Sequence, residues 1–67
     1  MDNKEIGSRI KSLREANGET QQDLADFLGV TQPGIEHYES GRNVPRDEMK
    51  RAIAEHYGTT VQKLFFE

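Results

Sequence analysis

The sequence predicts an all-α fold of five short helices, within one domain that spans residues 1–67. Apolar residues recur three or four positions apart, as in the pair Leu24 and Leu28, which places them on one face of a helix. A glycine follows each of the first four predicted helices, at the place where a left-handed residue ends a helix with least strain. No segment is assigned to a strand, and the connecting loops are short.

The first helix is predicted from about Asn3 to Asn17. Asp2 is its N-cap, with Glu5 three residues later in a capping-box arrangement. Its buried stripe consists of Ile6, Ile10 and Leu13. Arg14 comes four residues after Ile10 and therefore lies beside this stripe, not opposite it.

Two helices joined by a tight turn are predicted between Thr20 and Ser40. Each helix has a threonine that can cap its first turn through the hydroxyl group, Thr20 and Thr31. Ala25 is expected where the two helices cross, because a small side chain lets the backbones approach, and Gly29 ends the first helix. Ile35 and Tyr38 share the inner face of the second. A small residue, a glycine four positions later and a branched apolar residue six positions after that form the layout of a helix-turn-helix.

The C-terminal part of the chain is predicted as a loop followed by two helices. In the loop 42–45, Val44 is expected to pack inward. A fourth helix is predicted from about Asp47 to Tyr57, and Thr60 caps a short fifth helix. The core-facing residues are Met49, Ala52, Ile53 and Tyr57 in the fourth helix, and Val61, Leu64 and Phe65 in the fifth.

The helix-turn-helix stretch carries residues that match a known family. They are Thr20-Gln21, Leu24-Ala25, Leu28-Gly29-Val30-Thr31-Gln32, Ile35, Tyr38-Glu39 and Gly41. Further matches elsewhere are Ile10, Leu13-Arg14, Pro45, Ile53-Ala54, Gly58 and Leu64-Phe65. On these residues the chain, from about Ile6 to Phe65, resembles the lambda-repressor, Cro and XRE-like family. The resemblance implies a lambda-repressor-like domain that binds operator DNA and regulates transcription. Repression is expected before activation.

Two departures from the family pattern stand out. In the fourth helix, Asp47 and Lys50 occupy places where the family usually has apolar residues, and Met49 takes up the apolar role. Either this helix is rotated slightly or its packing is thinner. In the third helix, Pro33-Gly34 replaces residues that are more often polar.

The resemblance implies that the third helix lies in the major groove and reads bases with its first turns. Its base-contacting candidates are Gln32, Pro33, Glu36 and His37. The Gln32 amide can pair bidentately with adenine or bind a phosphate, and the Glu36 carboxylate can accept from cytosine N4. The His37 ring can donate to guanine or to a phosphate, whereas Pro33 offers only an apolar contact, such as one to a thymine methyl group. Direct readout should therefore be sparse, with shape readout or a dimer supplying specificity.

Phosphate contacts are expected from Gln21, Thr31, Arg42 and Asn43. Gln21 opens the second helix, where free N–H groups favour an anion, and the other three flank the third helix. A purely structural role stays open, because Thr31 is a cap in any case and Arg42 on a loop can simply be solvated. The resemblance further implies a buried ion pair between Arg14 and Glu39.

The charge of the chain conflicts with the motif. Nine basic and twelve acidic residues give a net charge of −3, whereas a DNA-binding domain is expected to be basic on at least one face. We give the motif more weight, because helix N-termini and a few placed side chains can hold phosphates without a basic domain. The acidic balance should still lower the affinity.

Several classes of protein are disfavoured by composition. Cysteine is absent, which excludes a disulfide framework and a cysteine-ligated zinc site. No apolar run approaches the ~18 residues of a membrane span and no signal-peptide pattern opens the chain, so a soluble, cytoplasmic protein is expected. His37 and His56 lie on different helices without a carboxylate at ligand spacing, which argues against a metal site. With no nucleophile–base pair and no Gly-rich phosphate loop, we expect no enzyme activity, no cofactor and no small-molecule ligand.

Double-stranded DNA is the expected partner, bound by a weak homodimer that forms mainly on the DNA. Phe27 and Phe66 are expected to be partly exposed, and Phe66 at the C-terminal end is the candidate dimer contact unless it frays into solvent. Two other interpretations stay open. The chain can be a protein-interaction module on the same fold with a decayed DNA-binding face, which the acidic balance and Pro33-Gly34 favour, or a designed or minimal structural scaffold.

Overall fold

The computed structural model describes all residues from Met1 to Glu67 and contains five helices and no strand. The helices are α1 (Asn3–Ala16), α2 (Gln21–Leu28), α3 (Gln32–Ser40), α4 (Asp47–His56) and a final π-helical segment, α5 (Gln62–Phe66). The predicted all-α architecture of five helices is therefore confirmed. None of the helices is both long and apolar enough to cross a membrane.

Side-chain caps fix where the first three helices begin. The Asp2 carboxylate accepts a hydrogen bond from the Glu5 N–H at 2.8 Å. A complete capping box opens α2, because the Thr20 N–H donates to Asp23 Oδ2 at 2.9 Å and the Asp23 N–H donates to Thr20 Oγ1 at 3.0 Å. At the start of α3 the Thr31 hydroxyl accepts from the Gly34 N–H at 3.3 Å. The starts of α2 and α3 are thus set by local hydrogen bonds.

One cluster of nine buried apolar residues forms the core. Its members are Ile6, Ile10, Leu24, Ala25, Ile35, Ile53, Ala54, Leu64 and Phe65. The largest fully buried side chains, Ile10, Leu24, Ile35 and Ile53, come one from each of the first four helices. The core therefore lies where α1 to α4 meet, and α5 closes it with Leu64 and Phe65.

Two expectations about the inward-facing residues are corrected. Val44 is exposed, and Pro45 is buried in its place. The residue before a proline is held in an extended conformation, and adjacent residues of an extended segment point to opposite sides, so only one of the two can face the core. In α4, Ala54 is buried whereas Ala52 is only half-buried.

Lys50 shows how α4 departs from the family pattern without turning away from the core. Its side chain is only 16% exposed, and its Nζ lies 5.7 Å and 5.1 Å from the ring centres of Phe65 and Phe66. The aliphatic stem covers apolar surface while the ammonium group stays at the edge over the two rings. The position still faces inward, with a long cation in place of an apolar side chain.

The backbones of α1 and α3 approach each other closely at Gly7. Gly7 is buried, and a Cβ atom placed on it would overlap the carbonyl oxygens of Tyr38 and Glu39. Because those atoms belong to the backbone of α3, they cannot move aside as a side chain would. Gly7 therefore sets the distance between the two helices.

We expect Gly7→Ala to destabilise the fold by about 1–3 kcal/mol through overpacking. Alanine has the higher helix propensity by about 1 kcal/mol, so the same change at an exposed site of α1 would act in the opposite direction. The free energy of unfolding from urea titration gives the result, with Ser8→Ala, an exposed position on α1, as the matched control. A Gly7→Ala variant as stable as the wild type would show that α3 can move away without loss.

Candidate nucleic-acid interface

The α3 helix has one face in the core and presents the other outward. Ile35 is fully buried, whereas Pro33 is exposed and Gln32, Glu36 and His37 are half-buried. The four candidate base-contacting residues thus lie on the side of α3 that the core does not cover. Pro33 lies in the first turn of α3, where its missing N–H breaks no helical hydrogen bond.

A chain of hydrogen bonds connects the start of α3 to the start of α2. Gln32 Nε2 donates to Gln21 Oε1 at 2.6 Å, and Gln21 Nε2 donates to Glu39 Oε1 at 3.0 Å. The structure thereby brings together a candidate base contact, a candidate phosphate contact and one member of the expected ion pair. Sequence spacing gave no sign of the contact between the two glutamines, which lie on different helices.

Arg14 and Glu39 are in contact and almost completely buried. Arg14 Nε lies 2.6 Å from Glu39 Oε2, and the two side chains are 8% and 4% exposed. Arg14 Nη2 also donates to Glu39 Oε1 at 3.0 Å, and Nη1 donates to the Glu19 backbone oxygen at 2.6 Å. The hydrogen bond to Glu39 is the main cause that raises the pKa of Arg14, against the opposing effect of burial. Two buried charges are thus paired and hydrogen-bonded, as such charges must be.

At the other end of α3, Arg42 and His37 contact each other. Arg42 Nη1 lies 3.1 Å from His37 Nε2. Because a guanidinium group can only donate, His37 Nε2 must accept, and the ring proton is then on Nδ1. Glu36 Oε2 lies 3.7 Å from the same nitrogen, too far for a hydrogen bond. Contact between His37 Nε2 and DNA therefore requires Arg42 to release it.

The remaining phosphate candidates lie at the two ends of α3. The Thr31 hydroxyl oxygen accepts from the Gly34 N–H as the cap of α3, which leaves its O–H free to donate. The Asn43 N–H donates to the His37 carbonyl oxygen at 3.2 Å, which fixes the loop after α3, and its side chain is exposed. These positions flank the outward face of α3 on both sides.

Lys11 is a candidate that the sequence analysis missed. It is exposed and lines a cleft of about 170 Å³ together with Gln21, Glu36, Glu39 and Ser40. No carboxylate lies within ion-pair distance of its ammonium group. The sequence could have indicated this position, because Lys11 precedes Arg14 by three residues and therefore lies on the same face of α1.

A family model described as "Helix-turn-helix domain" matches residues 5–64 of the chain. The chain belongs to this helix-turn-helix family. The family expected from the sequence is therefore confirmed, and the resemblance covers almost the whole of the chain.

Relatives of this helix-turn-helix domain include named regulators. It is 46% identical over 40 residues to the SPbeta prophage-derived uncharacterized HTH-type transcriptional regulator YonR of Bacillus subtilis (strain 168), a match that covers 60% of this chain and 37% of that protein. It is 30% identical over 60 residues to the HTH-type transcriptional activator BcrR of Enterococcus faecalis, which covers 90% of this chain and 29% of that protein. The chain thus spans about a third of the length of these curated relatives.

A solved structure shares the fold of the helix-turn-helix domain. The clp gene regulator ClgR from Corynebacterium glutamicum superimposes with a TM-score of 0.83 at 22% sequence identity, covering 92% of this chain and 66% of that one. At this level of identity, the comparison establishes that the two chains share a fold.

Three acidic groups of the helix-turn-helix domain are held by contacts within the fold. Asp23 closes the capping box of α2, and Glu39 is buried against Arg14. Glu19 accepts from the Tyr57 hydroxyl at 2.8 Å and lies 2.7 Å from His56 Nε2. Burial, together with the hydrogen bond to Glu19, raises the pKa of Tyr57. The net charge of −3 counts acidic groups over the whole chain, whereas on α3 itself Glu36 is the only carboxylate that is not buried.

Glu39→Ala should destabilise the domain by about 3–5 kcal/mol, because it leaves the buried guanidinium of Arg14 without its partner. Glu36→Ala removes the same charge from the same helix at a half-buried site and should have a much smaller effect. Thermal unfolding of the two variants beside the wild type provides the comparison. Equal melting temperatures for the two variants would mean that the ion pair is energetically unimportant.

Proposed function

We propose that this helix-turn-helix domain binds double-stranded DNA sequence-specifically, with α3 in the major groove, and regulates transcription. Repression, through occupation of a site that polymerase needs, is the simplest outcome. The observation that carries the proposal is the pairing of Gln32 with Gln21 on one surface, at the starts of α3 and α2. Two helix starts that present polar groups side by side suit a base contact and a phosphate contact on the same duplex. YonR is described as a transcriptional regulator and BcrR as a transcriptional activator, which agrees with a role in regulating transcription.

Gln32 is the principal base contact in this proposal. One hydrogen of its amide is already donated to Gln21, so its Oε1 and its second N–H remain for a ligand. Adenine presents the matching pair in the major groove, with N6–H as donor and N7 as acceptor. Pro33 would contact a thymine methyl group, and Glu36 would accept from cytosine N4. His37 would donate to guanine or a phosphate once Arg42 releases Nε2 and that nitrogen carries the ring proton.

Phosphate anchoring would come from both helix starts and from the loop after α3. Gln21 lies in the first turn of α2, where the backbone N–H groups have no helical acceptor and favour an anion. Thr31 and Asn43 flank α3, and Arg42 supplies a full charge. Lys11 joins this set, since it lines the same cleft as Gln21.

We further propose that the domain acts as a weak homodimer that forms mainly on DNA. A single module buries only roughly 600–1,000 Å² against DNA, so a second copy on a half-site about 10 base pairs away doubles the contacts on the same face of the duplex. Phe66 is 61% exposed and lines a shallow groove of about 420 Å³ with Asp47, Lys50, Arg51 and Val61. An exposed aromatic side chain beside apolar surface supports a contact there.

Base reading and phosphate anchoring should respond differently to mutation. Gln32→Ala should relax the preference at one base position, whereas Arg42→Ala should leave that preference in place, weaken binding to all duplexes and reduce the salt slope by about one. Selection from a random duplex pool and binding titrations at several salt concentrations give the two readouts.

Lys63→Ala is the matched control for Arg42→Ala, because Lys63 is an exposed cation on α5. It should leave the salt slope unchanged. A wild-type protein that binds no duplex at low salt would favour a protein-interaction module on the same fold. A change of preferred sequence in Arg42→Ala, with an unchanged slope, would reverse the two assigned roles.

Phe66→Asp should abolish cooperative binding to a duplex with two half-sites while binding to a single half-site persists. Sedimentation of the protein with each duplex measures the stoichiometry directly. Phe27→Asp is the control, since Phe27 is 60% exposed and the change adds the same charge elsewhere. One protein per two-site duplex at saturation would rule out the dimer, and unchanged cooperativity in Phe66→Asp would rule out this contact.

A further inference from the structure

The direction of the hydrogen bonds between Gln32, Gln21 and Glu39 is fixed by the last member. A carboxylate oxygen can only accept, so Gln21 must turn its Nε2 towards Glu39 Oε1, which lies 3.0 Å away. The Oε1 of Gln21 then faces Gln32 and can only accept, and Gln32 must donate to it through Nε2, at 2.6 Å. Each amide has one permitted orientation because the chain ends on an ionised group.

Glu39 is well suited to impose this direction. Its side chain is 4% exposed, and Arg14 holds both of its oxygens, Oε2 through Nε at 2.6 Å and Oε1 through Nη2 at 3.0 Å. Rotation of the carboxylate would break two charge-assisted hydrogen bonds in a buried site. The acceptor that faces Gln21 is therefore permanently in place.

The orientation of Gln32 decides which base edge it matches. With Nε2 towards Gln21, its free edge has one acceptor and one donor, which suits adenine N6–H and N7. In the opposite orientation Oε1 would face Gln21, and only amide hydrogens would remain for the base. That edge suits guanine, which presents two acceptors, O6 and N7.

We propose that Glu39 is a positioning residue for base selection: through Gln21 it holds the Gln32 amide in the orientation that favours adenine over guanine. The inference rests on the proposed function, because Gln32 must be the residue that meets the base. It assigns to a buried side chain, which does not reach DNA, control over which base is chosen.

The test measures the ratio of affinities for adenine and guanine at one base pair. That base pair is the one whose preference Gln32→Ala removes, and the duplexes are otherwise identical. Glu39→Gln should lower the adenine-to-guanine ratio by about tenfold, equal to about 1.4 kcal/mol, because an amide at position 39 can donate as well as accept and lets Gln21 turn over. A role in stability alone would lower affinity for all duplexes and leave this ratio unchanged.

Exchanging the two groups should restore the ratio. In the double variant Gln21→Glu with Glu39→Gln, the amide now at position 39 donates to the carboxylate now at position 21, which again can only accept from Gln32. Affinity for every duplex should stay below that of the wild type, because a carboxylate at position 21 repels phosphate. Recovery of the adenine preference under these conditions separates orientation from overall binding strength.

Gln21→Met provides the second route if Glu39→Gln fails to fold. It leaves the ion pair of Arg14 and Glu39 intact, removes the link to Gln32, and should lower the ratio as Glu39→Gln does. An adenine preference that depends on Gln32 but is unchanged in Gln21→Met, or in a folded Glu39→Gln variant, would overturn this inference and leave the proposed function standing. A wild-type protein without selective DNA binding would overturn both.

Discussion

The buried ion pair of Arg14 and Glu39 is the constraint on which the arrangement of α1, α2 and α3 depends. Arg14 extends from α1, Glu39 from α3, and the same guanidinium holds the Glu19 backbone oxygen just before α2. Two charges in a site closed to water must keep their partners, so α1 and α3 cannot separate without leaving a charge unpaired, and a shift of α2 would cost the guanidinium a hydrogen bond to the chain just before it. The pair need not add net stability to have this effect, because the arrangement is fixed by the requirement that the two buried charges stay in contact.

The short distance between α1 and α3 makes that pair possible. At Gly7 the backbones approach so closely that no side chain fits between them, and Glu39 lies on the α3 turn that faces this point. The contacts therefore run from the close backbone approach at Gly7, through the ion pair, to the outward amide of Gln32. The spacing of α1 and α3 in the core and the orientation of the Gln32 side chain on the surface are therefore linked by one set of contacts.

The sequence predicted the features that depend on local chemistry. Helix starts at Gln21 and Gln32 follow from threonine caps, and Gly29 adopts the left-handed conformation expected of it, with φ at 73°. What the sequence could not supply depends on how separate helices meet. The contact between Gln32 and Gln21 joins two helices, and the choice of Pro45 over Val44 as the inward residue depends on the direction in which the loop leaves α3. The net charge was a weak guide for the same reason, because a count does not say where on the folded chain the carboxylates lie.

Pro33 gives the start of α3 an unusual electrostatic character. Proline has no N–H, and the Gly34 N–H is taken by Thr31, so the first turn of α3 has little left to offer an anion. In the first turn of α2 the Asp23 N–H is likewise taken by Thr20, but the Gln21 and Gln22 N–H groups stay free. In our proposal they add to the phosphate contacts of Arg42 and Lys11. On a duplex, the salt concentration would then govern chiefly the phosphate contacts, and so how long the protein stays, and much less the base contacts of α3, which decide the sequence it prefers. A cell could raise or lower occupancy by changing its ionic conditions without redirecting the protein to other sites.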